Sequence, residues 1–416
     1  MSELARNTSW MFLGQVISLL IQAVYFVIIA RALGAQQYGV FVASTAFPMI
    51  LSPFVGFGGG NLLIKNVAHD RTSFPVYWGN WLFMTLASGL TFIAFVIFFA
   101  RLVLPATIPL LVIVSVSLAE LIFIRLVECA AMAFQAVGRL DVTAQLHIWS
   151  ALAKLVGIAV LAVNIHHPTA QQWSFVYLIT TVIGTVLGLY WVQTRIDKPR
   201  LELCRIKGEF IEGLYFSTSL SAQNIYNDID KTMLARLSTL DAVGIYATAY
   251  RLIDVAFVPV LSLLAAGYSG FFRAGKEGLD GTLRYMRRLL PKSACFSLLV
   301  FLCLITCAPI IPYVFGPQFL RTVEALRWLA LLPLLKTIHY FLADTLTCSG
   351  YQGYRTTIQI VVAVFNVLIN LWIIPLFSWR GAAWSSLASD GLLAVLLYIT
   401  ILVLRGRPGL DKDNIR

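Results

Sequence analysis

Five polar residues inside one apolar stretch are the first sign of chemistry. Ser217, Ser221, Asn224, Asp228 and Lys231 recur at steps of four, three, four and three. At about 3.6 residues per turn this spacing puts all five on one stripe of a helix. Hydroxyls, an amide, a carboxylate and an ammonium in one line can hydrogen-bond a polyhydroxylated ligand, hold a charge or relay an ion. Asp228 and Lys231, three apart, can also neutralise each other. A milder stripe of Gln15, Ser18 and Gln22 lies near the N-terminus, and Gln359, Asn366 and Asn370 share a face near the C-terminus. For the amides, hydrogen bonding between helices is at least as good a reading as ligand binding.

Other charges also lie within apolar runs: Glu120, Arg125, Glu128, Lys154, Arg251, Asp254, Glu324, Arg327, Lys336, Asp344 and Asp390. A charge at the centre of a bilayer costs about 2.5–3.5 kcal/mol on insertion scales, so such residues pair or face a wet cavity. Arg125/Glu128, Arg251/Asp254 and Glu324/Arg327 stand three apart and can pair locally. Lys154 and Lys336 have no acidic residue three or four positions away. Each therefore needs a cavity, a distant partner or an anionic ligand.

Familiar catalytic patterns do not occur: the chain has no Walker A motif, no HExxH and no GxSxG. Its six cysteines show no metal-ligand spacing, and Cys303 and Cys307, on one helix face, lack further ligands. Gly56 to Gly60 reads as close helix packing or a hinge rather than a phosphate loop. His166-His167 reads as polar loop.

The elements that must hold these residues follow from composition. Of 416 residues, 59% are hydrophobic and 12% charged, against about 45–50% and 25% in soluble domains. So little charge cannot cover a water-facing surface, which excludes a soluble multidomain enzyme. Apolar windows of helical length predict twelve spans near 10–30, 40–63, 77–99, 107–136, 142–163, 172–193, 212–236, 243–267, 290–314, 322–349, 357–376 and 381–404. The first is too long for a signal-peptide core and is read as a retained span. The fourth and tenth are long for one crossing.

The net charge of +11 bears on orientation before it bears on nucleic acid. With the N-terminus inside, twenty of the 31 Lys and Arg fall on the cytoplasmic side, five on the opposite face and six within spans. That bias places both termini in the cytoplasm. The basic connections near 194–211 and 268–289 read as orientation signal and anionic-lipid contact.

An internal repeat supports the count. Arg31/Arg236, Gly39/Gly244 and Phe41/Tyr246 align at an offset of 205, close to half the chain. Six spans per half is an even number, so both halves enter the membrane in the same direction, as in parallel-repeat transporters. The expected fold is an all-α polytopic membrane protein with two six-helix lobes around a central cavity. Residues 1–194 form the N-terminal lobe, 195–211 a basic cytoplasmic linker, 212–404 the C-terminal lobe and 405–416 a cytoplasmic tail.

Three segments carry a family resemblance. Ala30-Arg31-Ala32-Leu33-Gly34 with Tyr38-Gly39 is similar to an R-x-L-G…Y-G junction. Asp230-Lys231-Thr232-Met233-Leu234, then Val243-Gly244-Ile245-Tyr246 and Tyr250-Arg251, is similar to a D-x-x-x-L…V-G-x-Y…R segment. Phe315-Gly316 precedes a long tenth span ending at Gly350. In order and spacing these resemble the polysaccharide exporters, or O-antigen (Wzx-type) flippases, of the MOP flippase superfamily. Lys65 departs from that pattern, standing where many members have Arg.

The resemblance implies a bacterial inner-membrane flippase that moves polyprenyl-diphosphate-linked oligosaccharide to the periplasmic leaflet by ion-coupled alternating access. It implies no enzymatic step and no cofactor or metal. The implied partners are membrane lipids and other polysaccharide assembly proteins, and not nucleic acid. The residues suit that cargo. Arg125, Lys154, Lys231, Arg251 and Lys336 would offset desolvation of a diphosphate, while Asn224, Gln15, Gln22 and Asn366 could hydrogen-bond sugars. Asp228, Asp230, Asp254, Asp344 and Asp390 are candidates for proton or sodium coupling. A cation/drug antiporter of the related multidrug (MATE) family would favour an acidic cavity. A membrane-embedded polysaccharide polymerase or ligase would need a large external loop with Arg and His, and the external loops are short.

Overall fold

Backbone polar groups in lipid have no water to bond, so a spanning segment must satisfy itself as a helix. The computed structural model describes residues 3–202, 217 and 228–405. Among the described residues every regular element is helical, with no strand. Among these residues, ten stretches are long and apolar enough to cross a membrane. They account in order for eleven of the twelve expected spans, because the first, Gly14–Phe54, takes in two of them. The seventh lies mainly outside the described residues, apart from Ser217 and a helical segment at 228–237. The protein is a multi-pass helical membrane protein.

The chain divides into two compact units, Met1–Arg236 and Leu237–Arg416. The first begins with α1 (Glu3–Leu51), in which Gly34 leaves helical geometry at φ 69° and ψ 171°. That backbone region is nearly confined to glycine. The expected second span does not run on to residue 63. The turn Ser52–Phe54 and the positive φ of Gly56 and Gly58 end it, and α2 (Gly59–His69) starts afresh. Ser88 Oγ accepts the Gly56 N–H at 2.9 Å, so the glycine run is a helix break. Asp70 closes α2, and the hydroxyl and N–H of Thr72 hold its carboxyl below the usual range.

α3 (Phe74–Val103) precedes an interrupted helix: α4 (Leu110–Leu118), a π-helical turn at Ala119–Phe123, and α5 (Ile124–Ala136). This interruption falls within the long fourth span. α6 (Leu140–Asn164) and α7 (Ala170–Arg195) complete the described bundle. A capping box of Thr169 and Gln172 starts α7.

The second unit contains α8 (Leu240–Gly275), α9 (Gly278–Cys307), the short α10 (Ile311–Phe315), α11 (Leu320–Leu329), α12 (Leu332–Cys348), α13 (Gln352–Phe377) and α14 (Trp379–Arg405). The long tenth span is thus two helices meeting before Pro333. The expected loop near 268–289 is mostly helix, shared by the end of α8 and the start of α9. Large apolar side chains such as Phe98, Val163 and Trp372 remain exposed, as a surface bathed in hydrocarbon requires.

Candidate functional site

In the first unit the π-helical turn carries a buried carboxylate. A π turn adds one residue to the helical ring, so side chains after it are rotated relative to those before. Thr185 Oγ1 on α7 donates to the Phe123 carbonyl at 2.8 Å, binding this turn to the neighbouring helix. Gly89 on α3 leaves room for the turn: a Cβ there would lie 2.9 Å from the Leu121 oxygen. Glu120, within the turn, is buried and accepts a hydrogen bond from Tyr177 Oη at 2.7 Å.

The Tyr177 ring is wedged edge-on against Phe41 at 5.3 Å and also meets Trp173. Lys154 Nζ, on α6, sits 4.9 Å from the centre of that ring. Glu120 and Lys154 thus both meet Tyr177, one at its hydroxyl and the other at its ring, from two different helices. Arg125 and Glu128 pair at 2.7 Å and are partly exposed, at 23% and 43%. The cluster therefore grades from buried Glu120 to half-exposed charge. Arg125 Nε is buried and has no hydrogen-bond partner among the described residues.

The second unit repeats the combination of lysine, tyrosine and carboxylate. Lys336 on α12 donates to Tyr250 Oη at 3.1 Å, lies 4.7 Å from that ring's centre, and faces Asp254 at 3.6 Å. Tyr250 and Asp254 stand one helical turn apart on α8. One turn beyond Lys336, buried His339 has Nε2 at 3.5 Å from the Asp390 carboxylate of α14. Further along α12, Asp344 faces Arg355 at 3.6 Å.

The other expected residues take varied places. Asp228 and Lys231 pair with each other, and Asp230 accepts the Lys231 N–H at 2.8 Å. Asn366 and Asn370 join α13 to α14, the first donating to Ser389 at 2.9 Å and the second accepting from Ser385. Gln22 donates to Ser18 at 3.1 Å, while Gln15 and Arg251 are exposed. Asn224 and Ser221 lie outside the described residues. Glu324 forms its ion pair across helices with Arg380, at 2.7 Å, and not with Arg327 along its own helix.

Sequence reasoning did not single out Tyr177 or His339, named Tyr250 only within a family-like segment and counted Glu120 only among the buried charges. One signal was available for His339, which stands three residues after Lys336 on the same helical face. No spacing rule links Glu120 to Tyr177, 57 residues away.

Each unit is thus a bundle of membrane-spanning helices with a lysine beside a tyrosine ring and a carboxylate inside it. The family model for polysaccharide biosynthesis proteins matches residues 4–267, more than half the chain, and the protein belongs to that family. It is 22% identical over 406 residues to the probable low-salt glycan biosynthesis flippase Agl15 of Haloferax volcanii, covering 95% of this chain and 82% of that one. Two solved structures share its fold with a TM-score of 0.75 and 12% identity. One is a multidrug resistance MATE transporter of the MOP superfamily in an inward-facing conformation, covering 96% of this chain and 99% of the other. The second is the lipid II flippase MurJ in an inward closed conformation, with 96% and 87% covered.

Proposed function

We propose that the protein is a flippase for polyprenyl-diphosphate-linked oligosaccharide, carrying it from the cytoplasmic to the periplasmic leaflet of a bacterial inner membrane during surface polysaccharide assembly. The observation that carries this reading is the pair of lysine–tyrosine–carboxylate sites, Lys154 in one unit and Lys336 in the other. The partly exposed Lys154, and Lys336, buried but 3.6 Å from the half-exposed Asp254, can exchange a protein carboxylate for a diphosphate with little net desolvation. Membership of a polysaccharide biosynthesis family supports the glycan cargo, as does the similarity to a glycan flippase. The reaction is translocation, with alternating access driven by an ion gradient, and no bond of the cargo is broken.

The buried carboxylates Asp230, Asp344 and Asp390 favour a second reading, cation/drug antiport. The two readings separate in one experiment. In vesicles holding the purified protein and a defined lipid-linked glycan, leaflet orientation of the glycan is followed over time. Wild type is expected to equilibrate it. Lys154→Ala and Lys336→Ala are expected to slow it at least tenfold at unchanged protein level. Full transport by both single variants and by the double variant would overturn the cationic-site reading. Antiport of lipophilic cations without glycan movement would favour the alternative.

A further inference from the structure

Translocation as proposed makes no use of a group of charges on the hairpin where α8 ends and α9 begins. Arg273, Lys276, Arg287, Arg288 and Lys292 are exposed there and form no ion pair among the described residues. The hairpin's two acidic residues are already paired, Glu277 with Arg284 at 3.3 Å and Asp280 with Arg405 of α14 at 3.1 Å. The backbone under these charges is packed. Phe271 meets Tyr285 edge-on at 5.0 Å, and an added Cβ at Gly270 would strike that tyrosine ring. Thr282 shares a 2.7 Å hydrogen bond with Ser349 at the end of α12.

The spacing along α9 decides what such charges meet. Arg284, Arg288 and Lys292 follow at steps of four, and Leu299 and Leu302 continue the same face. Those leucines are 60% and 51% exposed, so this face looks outward into hydrocarbon. From Arg288 to Lys292 the helix rises about 6 Å, at about 1.5 Å per residue. That matches the headgroup zone, about 5–8 Å deep on each side of the hydrocarbon. The neighbouring helix gives an independent mark of the same level. A Cβ on Gly267 of α8 would lie 3.2 Å from Leu289, so Tyr268 stands level with Arg288. Tyr268 and Phe272 are exposed and meet edge-on at 5.0 Å, and tyrosine rings collect at the membrane–water interface.

We propose that this face of α9 binds an anionic phospholipid of the adjoining leaflet, its headgroup phosphate held by Arg288 and Lys292 and its acyl chains laid along Leu299 and Leu302. Lipid tails are as apolar as leucine, so the apolar half of the face places the lipid without selecting it. Selection comes from the cations, and Arg273, Lys276 and Arg287 beside them raise the attraction for a headgroup of net negative charge. A zwitterionic headgroup brings its own ammonium and gains less. A general basic connection is thereby narrowed to one helix face and one class of ligand. The site is independent of the cargo reading.

The test uses the purified full-length protein in mild detergent, with phosphatidylglycerol and phosphatidylcholine of identical chains added in equal amounts. Native mass spectrometry counts the lipids retained. Each Lys or Arg near an anionic surface contributes about fivefold, so wild type is expected to prefer phosphatidylglycerol by about tenfold or more. Arg288→Gln/Lys292→Gln should cut that preference by about fivefold or more. Arg321→Gln, which removes an exposed charge at the start of α11, should leave it unchanged. Should the double variant prove unstable, Lys292→Gln alone is expected to show a smaller loss in the same direction. Equal retention of the two lipids by wild type would overturn the proposal, as would equal losses in Arg321→Gln and the double variant. Displacement of phosphatidylglycerol from wild type by an equal amount of a short polyprenyl diphosphate would assign the face to that lipid and overturn it too.

Discussion

At the scale of single residues, polar groups in this protein do two physically different things, and their energies differ accordingly. Asn370 is fully buried, donates to Asn366 Oδ1 at 2.9 Å and accepts from Ser385. Interhelical hydrogen bonds in membranes average about 0.6 kcal/mol and reach about 1.7. Asn370→Val, which removes the bond to Ser385 across helices and the one to Asn366 along α13, is expected to cost about 1–3 kcal/mol, read as a lowered melting temperature in detergent. Glu324 and Arg380 form a closer, two-pronged ion pair, but both are nearly half exposed. Exposed pairs contribute only about 0.2–1 kcal/mol, so Glu324→Gln should shift the melting temperature less than Asn370→Val. The opposite order would refute this ranking. Much of the residue scale was legible in the sequence: the period of Gln359, Asn366 and Asn370 marks a polar face. What it lacked was the partner. Ser385 and Ser389 lie 15 and 23 positions from the amides they meet, on the next helix, and no period spans two helices.

At the scale of elements, the sequence announces breaks made by glycine and conceals those made by packing. The Arg31-Ala32-Leu33-Gly34 junction marks the change from first to second span, and Gly34 there adopts φ 69°, ψ 171°. A side chain in that region costs about 1–3 kcal/mol. Gly34→Ala should therefore destabilise the protein by that amount in a denaturation assay. Gly353→Ala on α13, where an added Cβ meets nothing within 4 Å, should be neutral or slightly stabilising. Equal effects would show that Gly34 is not a conformational requirement. The π turn is the contrary case. Ala119-Glu120-Leu121-Ile122-Phe123 contains neither glycine nor proline and reads as uninterrupted helix. Thr185 reaching the Phe123 carbonyl and the space left by Gly89 come from α7 and α3. A window along one segment cannot register them. The same limit explains the ion pairs, where local i,i+3 spacing correctly anticipates Arg125/Glu128 but cannot find Lys336/Asp254 or Glu324/Arg380.

At the scale of the whole molecule, the charge that composition makes scarce is unevenly placed. Six of the basic residues, Arg273, Lys276, Arg284, Arg287, Arg288 and Lys292, lie where α8 ends and α9 begins, and all six are exposed. Helices carrying exposed guanidinium and ammonium groups over that length cannot sit in hydrocarbon, so these ends project into the aqueous phase on one side. The expectation from the positive-inside bias is that this side is the cytoplasm, and that an even number of spans brings the C-terminus to the same side. Three reporter sites test this arrangement. A fluorescent protein fused after Arg416 should fluoresce, and alkaline phosphatase at the same place should be inactive. Alkaline phosphatase inserted between Gly275 and Gly278 should also be inactive. Placed in the loop between α6 and α7, beside His166, it should be active. Activity at the C-terminus with none beside His166 would mean the whole protein is inverted. Activity both between Gly275 and Gly278 and beside His166 would put the two sites on one side, with an even number of crossings between them in place of the expected three. That second outcome would remove the parallel arrangement of halves that the even span count leads one to expect.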